Sequence, residues 1–139
     1  MNADTTMVSG GFGLTTREVD TVVSAVLDSD ARDVTVSVTF LGLTAMSRLH
    51  ETHKQQSGPT DVLSFSLPQP DGAILGDVYI CPGVAAREAR RRGITRREEL
   101  VRLVVHGTLH VLGHDHPEGA GREASEMWQR QESLVESLR

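Results

Sequence analysis

Apolar and polar positions along the chain fall into a few recurring spacings. Val34, Val36, Val38 and Phe40 alternate with Asp33, Thr35, Ser37 and Thr39, the period of two that buries one face of a β-strand. Ahead of that strand, Val19, Val22, Val23, Val26 and Leu27 recur at helical spacing. Thr15 and Glu18 precede them as a capping box, each side chain serving the other's backbone amide, so a helix is predicted from about Thr16 to Asp28. Leu43 to Lys54 reads as a second helix, ended by a polar stretch and by the turn-forming Gly58-Pro59 pair. Short strands are expected at Val62 to Leu67 and Gly76 to Cys81, and Val84 to Arg92 is helical up to Gly93. A second capping-box pattern, Thr95 with Glu98, introduces Leu100, Val101, Leu103, Val104 and Val105. A helix that is apolar around most of its circumference belongs in a domain centre. An amphipathic helix from about Arg122 to Leu138 closes the chain, presenting Met127, Trp128, Leu134, Val135 and Leu138. Helices and strands mixed without strict alternation predict an α+β fold, with a small mixed β-sheet packed against helices. Residues 14–139 form one compact domain in this reading, and residues 1–13, with Gly10, Gly11 and Gly13, form a flexible lead-in.

Length agrees with a single domain, since 139 residues leave little room for two and bury about 70% of the unfolded surface without staples. The lone Cys81 excludes an internal disulfide framework and a cysteine-based zinc cluster. No apolar run approaches the roughly 20 residues that span a bilayer. The first residues lack the basic start and apolar segment of a secretory signal, so the expected location is the cytoplasm, with no membrane partner. A net charge of −5 argues on its face against nucleic acid, whose non-specific binding draws on Lys and Arg. The charge is unevenly distributed, however. Arg87, Arg90, Arg91, Arg92, Arg96, Arg97 and Arg102 share one window with only three glutamates, making it +4 and the remainder −9. An acidic molecule with one basic region suits an anionic partner docked at one place.

The candidate chemistry lies just beyond that window. His106, His110, His114 and His116 fall within 11 residues, in HGTLHVLGHDHPEG. On a helix, His106 and His110 project from one face one turn apart and can share a metal ion. Gly113 tolerates the left-handed conformation that ends a helix, after which His116 can swing round as third nitrogen ligand. The spacing H-x-x-x-H-x-x-G-x-x-H is that of metzincin zinc proteases. Three imidazoles leave one tetrahedral position open, as catalytic zinc sites do, and an ion there lowers the pKa of bound water. A histidine in an apolar helix is often a hydrogen-bonded structural residue instead, but several packed together without a partner are costly. His114 is left to the loop. Where the proteases carry Glu directly after the first His, this chain has Gly107, so their general base is missing. Asp115 is a candidate to orient a ligand imidazole or take a proton from the water, its alternative being to hold the turn.

These residues resemble a known family. HGTLHVLGHDH, with GPTDVLSFSLP at Gly58 to Pro68 and LGDVYICPGVAAREA at Leu75 to Ala89, is similar to the YbeY family of metal-dependent endoribonucleases. The likeness runs from about Val34 to the C-terminus. It implies one zinc ion per chain on His106, His110 and His116, at the end of a buried helix. It further implies cleavage of single-stranded RNA in maturation of the small-subunit rRNA 3′ end, a part in ribosome quality control, and ribosome or ribosomal-protein partners. Oligomeric state is left open. The family commonly carries an arginine before the PT(D/N)VLSF motif; here His53 and Lys54 occupy that region, and Lys54 cannot offer arginine's bidentate fork to phosphate. Lys54 is nonetheless the candidate phosphate contact, and Arg87, Arg90, Arg91, Arg96 and Arg97 are candidate RNA contacts, with a solvated helix face as the alternative. Two other functions compete: a ribosome-assembly factor with a structural zinc site, and a metallopeptidase lacking the usual glutamate.

Overall fold

The computed structural model describes residues 14–28, 30–54, 57–115, 121 and 125–139, and the main chain but not the side chain of Lys54. Among these, five helices and three strands follow the order α1 (Thr16–Leu27), β1 (Val34–Phe40), α2 (Leu43–Lys54), β2 (Val62–Pro68), β3 (Ile74–Ile80), α3 (Pro82–Arg92), α4 (Arg96–Val111) and α5 (Glu126–Ser137). The expected lead-in, residues 1–13, lies outside the described residues. The sheet order is β1-β3-β2, with β1 parallel to β3 in register Val34↔Ile74 to Phe40↔Ile80. β2 runs antiparallel to β3, from Val62↔Ile80 to Pro68↔Ile74. The molecule is thus an α+β domain with a small mixed sheet.

Local sequence accounts for most element boundaries. Thr15 and Glu18 form the complete capping box at α1. At α4 only half of the second box forms: Thr95 accepts the Glu98 amide at 3.0 Å, whereas the Glu98 carboxylate pairs with Arg139 beyond α5. A charged partner from a distant part of the chain competes successfully for that side chain. α3 begins two residues before the expected Val84, because Pro82 presets the helical φ of the first turn. β3 begins at Ile74 rather than Gly76. A glycine there looks like the start of a strand, but a Cβ on Gly76 would run into Val111 of α4, so this glycine is an internal strand position that makes room for the helix.

The larger core cluster gathers Val34, Val36, Val38, Phe40, Val78 and Ile80 from the sheet with Val22, Val23 and Val26 of α1 and Leu100, Val104, Val105 and Leu109 of α4. α4 packs against α1, α3, α5 and all three strands, the central placement its apolar circumference predicts. Strand residues of the other parity, Leu63, Phe65 and Tyr79, join Met46 and Leu49 of α2 and Cys81 in a second cluster. α2 therefore covers part of the opposite sheet face. Asp77 is exposed on that face, turned away from α4, and burial followed by the Asp77 charge raises the Tyr79 hydroxyl above its ordinary pKa.

Candidate metal centre

Two glycines set how closely α4 rides on the sheet. A Cβ on Gly107 would come within 2.5 Å of Val78 Cγ1 and 3.2 Å of Ser64 Oγ, while Gly76 clears the path of Val111. Gly107 and Val111 thus occupy the sheet-facing line of the helix, and His106 and His110 lie on the adjacent line. A glutamate at 107 would point into β3 rather than into the histidine site. The missing protease base is therefore a packing requirement of this fold, with a direct structural cause.

His106 is buried, at 5% exposure, and His110 is partly exposed. Their Nε2 atoms stand 3.1 Å apart, with the rings edge to face at 4.6 Å between centroids. Two nitrogens each 2.0–2.1 Å from one tetrahedral ion would be separated by about 3.3 Å, so the pair fits a shared metal. His116, the third expected ligand, lies outside the described residues. Among the described residues no three His, Cys, Asp or Glu side chains form a metal-holding group.

The chain turns sharply after the second histidine. Gly113 takes φ 100°, its amide reaches the His110 carbonyl at 2.9 Å, and the His114 amide reaches the Leu109 carbonyl at 3.1 Å. This Schellman closure uses glycine for the left-handed residue. Ser66 of β2 donates to the Val111 carbonyl at 3.0 Å, and Arg32 donates to that of Leu112 at 2.9 Å, so side chains from elsewhere satisfy carbonyls that a helix end leaves open. Asp30 holds Arg32 in place at 2.7 Å. The Arg32 hydrogen bond is the main cause, opposed by burial and aided by the charges of Arg32 and His114, of an Asp30 carboxyl lowered to about 2. His114 and Asp115 are exposed in the loop that follows.

His106 is also fixed from behind. Its Nδ1 stands 2.5 Å from Gln131 Oε1, on α5. The Gln131 amide nitrogen donates to Glu132 Oε2 at 3.0 Å. Glu132 in turn receives two hydrogen bonds from Arg102, at 2.9 and 2.7 Å, and Arg102 lies 3.5 Å from Glu99. Burial raises the Glu99 carboxyl above its ordinary range despite the nearby arginines. Glu132 is shifted the other way: burial would raise it, but the hydrogen bonds from Arg102 and Gln131 and the arginine charges outweigh that and lower it. Arg102 thus belongs chiefly to Glu132, its bidentate partner. Sequence reading overlooked this seam. Its one legible sign was Gln131, a polar residue between Met127 and Val135 on the buried line of α5.

The remaining sequence candidates are dispersed. Lys54 ends α2, and its side chain is outside the described residues. His53 packs edge to face on Phe65 at 5.0 Å. Arg87, Arg90, Arg91, Arg96 and Arg97 are all exposed, with Arg91 paired to Glu88 and Arg97 to Glu18. Arg92 lies over the Trp128 ring, 5.7 Å from its centroid. Arg102, by contrast, is removed from the basic surface by burial. Arg97 and His110 are 13 positions apart on α4, about 20 Å along its axis.

Comparison with known proteins bears on the whole of this architecture. The family model described as Endoribonuclease YbeY matches residues 12–139. A protein of Beutenbergia cavernae named Endoribonuclease YbeY is 44% identical over 109 residues, spanning 72% of this chain and 71% of its own. One of the same name from Kineococcus radiotolerans is 37% identical, spanning 95% of this chain and 82% of its own. The solution structure of TM1509 from Thermotoga maritima superposes with a TM-score of 0.68 at 27% identity, covering 99% of this chain and 89% of that one. With a match over nearly the full length, and with the paired histidines at the end of a buried helix, the chain belongs to the Endoribonuclease YbeY family.

Proposed function

We propose that this protein is a zinc-dependent endoribonuclease that cuts single-stranded RNA in maturation of the small-subunit rRNA 3′ end, with a part in ribosome quality control in the cytoplasm. The observation that carries the reading is the 3.1 Å approach of His106 Nε2 and His110 Nε2 in a chain of this family. His106, His110 and His116 hold the ion in this proposal. When bound, zinc supplies a Lewis acid toward a phosphoryl oxygen and lowers the pKa of water. The chain's own residues do the rest. The buried α4 fixes two ligands on one rigid face, and the Gly113 turn ends the helix ahead of the third. Asp115 is proposed to orient a ligand imidazole or accept a proton. Lys54 is proposed to offset phosphate charge. Arg87, Arg90, Arg91, Arg96 and Arg97 are proposed to hold the RNA away from the cut, and ribosomal components are the proposed partners.

The test is cleavage of a single-stranded RNA carrying a small-subunit rRNA 3′ segment. It compares the native protein, chelator-treated protein restored with zinc, and His110→Ala purified identically. Activity that disappears in the variant and returns with zinc in the native protein supports the metallo-nuclease. Equal cleavage by both proteins overturns it and makes the activity a contaminant, leaving the zinc site to a binding factor.

A further inference from the structure

Nearly all the buried polar side chains of the described residues lie in one connected line: Glu99, Arg102, Gln131 and His106, with Thr108 alone outside it. Thr108 needs no such line, because it returns its hydroxyl to the Val104 carbonyl in its own helix at 2.7 Å. The others join α4 to α5 and end on a histidine that faces the candidate metal position. The order of donors along this line can be worked out from its far end. Ionised Glu132 accepts only, so the group facing it at 3.0 Å must be the Gln131 NH₂. That choice turns Gln131 Oε1, also an acceptor only, toward His106 Nδ1. His106 Nδ1 must therefore carry the hydrogen. A neutral imidazole has only one, so Nε2 presents its lone pair. The neighbouring His110 Nε2 stands 3.1 Å from it.

We infer that Gln131 is a positioning residue for His106. Held in orientation by the Arg102-Glu132 pair, it selects the tautomer whose Nε2 can bind a metal and locks the plane of the ring. The inference rests on His106 being a metal ligand, as proposed above, but the tautomer itself is a property of the metal-free chain. A partner on the far nitrogen of a ligand histidine is a recognised means of orienting the ring and raising its donor strength. The alternative is that Gln131 only fills a polar gap between two helices, and that role predicts no effect on which imidazole nitrogen is protonated.

The two are separated by long-range ¹H–¹⁵N NMR of the metal-free protein at pH 8, together with zinc affinity from competition with a chelating dye. In the native protein His106 should show a protonated Nδ1 and a bare Nε2. Gln131→Leu, which keeps volume and loses the acceptor, should shift His106 toward the other tautomer and weaken zinc binding by about 10–100-fold. Gln131→Glu, made together with Glu132→Gln so that two carboxylates do not meet at 3.0 Å, keeps an acceptor toward Nδ1, so it should preserve the tautomer and hold zinc affinity within a few-fold. The native spectrum and this double variant decide the matter even where Gln131→Leu fails to fold. A native His106 protonated on Nε2, or unchanged zinc affinity in a folded Gln131→Leu, overturns the inference. Absence of zinc binding by the native protein would instead refute the metal-site reading, and the NMR comparison would still judge what Gln131 does to His106.

Discussion

The seam between α4 and α5 and the arginine run from α3 into α4 are both rich in charge, and they treat it in opposite ways. In the seam, Glu99 and Arg102 are 1% and 8% exposed, and the side chains have fixed partners leading to His106. On the surface, Arg91 and Arg97 are more than half exposed and pair with Glu88 and Glu18. Net charge counts these arginines alike, but their consequences differ. A buried ion costs several kcal/mol in lost solvation and must be matched by its partners. An exposed pair gains little, because water and salt already screen it. One group of charges therefore specifies structure, and the other contributes little to it.

Removing Arg102 should break this contrast most severely. Arg102→Met takes one of the arginine partners from the buried Glu99 and both hydrogen bonds from Glu132, for an expected loss of about 3 kcal/mol in denaturant unfolding at pH 7. The deficit should shrink on acidification. Glu99 has a raised pKa in the fold, so its contribution favours folding at low pH and is lost as pH rises through the folded value. A deficit independent of pH would show that the Arg102 charge does not act through these carboxylates.

Asp30 and Arg32, capping the end of α4, lie between the two extremes. The Asp30 carboxyl is lowered to about 2 from 3.8. A depressed acid contributes stability above its unfolded pKa and loses it as pH falls through the folded one. Asp30→Asn should therefore cost under about 1 kcal/mol at pH 7 and flatten the acid limb of the stability profile between pH 4 and pH 2. Parallel acid limbs for variant and native protein would refute this assignment.

The smallest stability effect is expected on the surface. Arg91→Ala with Arg97→Ala should change unfolding free energy by about 1 kcal/mol or less. If these arginines hold RNA, affinity for single-stranded RNA should fall, and the slope of log affinity against log salt should drop by roughly 0.7 for each phosphate that is no longer neutralised. An unchanged slope would return both residues to a solvated helix face.

Several elements were legible in the sequence because their determinants are near neighbours. The alternation from Val34 to Phe40, the Thr15 and Glu18 box, and the boundaries of α2 arise within a few positions along the chain, where backbone geometry fixes which side chains meet. The pairing of His106 with His110 was legible for the same reason, one helical turn being a local distance. What the fold alone decided involves residues far apart. The order β1-β3-β2 depends on which strand edges meet. Glu98 leaves its own cap for Arg139. Gly107 reads in the sequence as a lost catalytic glutamate and proves in the structure to be where α4 touches Val78. Gln131 meets His106 across 25 positions, and spacing carries no sign of such a contact. Sequence determines the local geometry of helix and strand, whereas the orientation of an imidazole depends on what a second helix places behind it, which only packing of the whole chain decides.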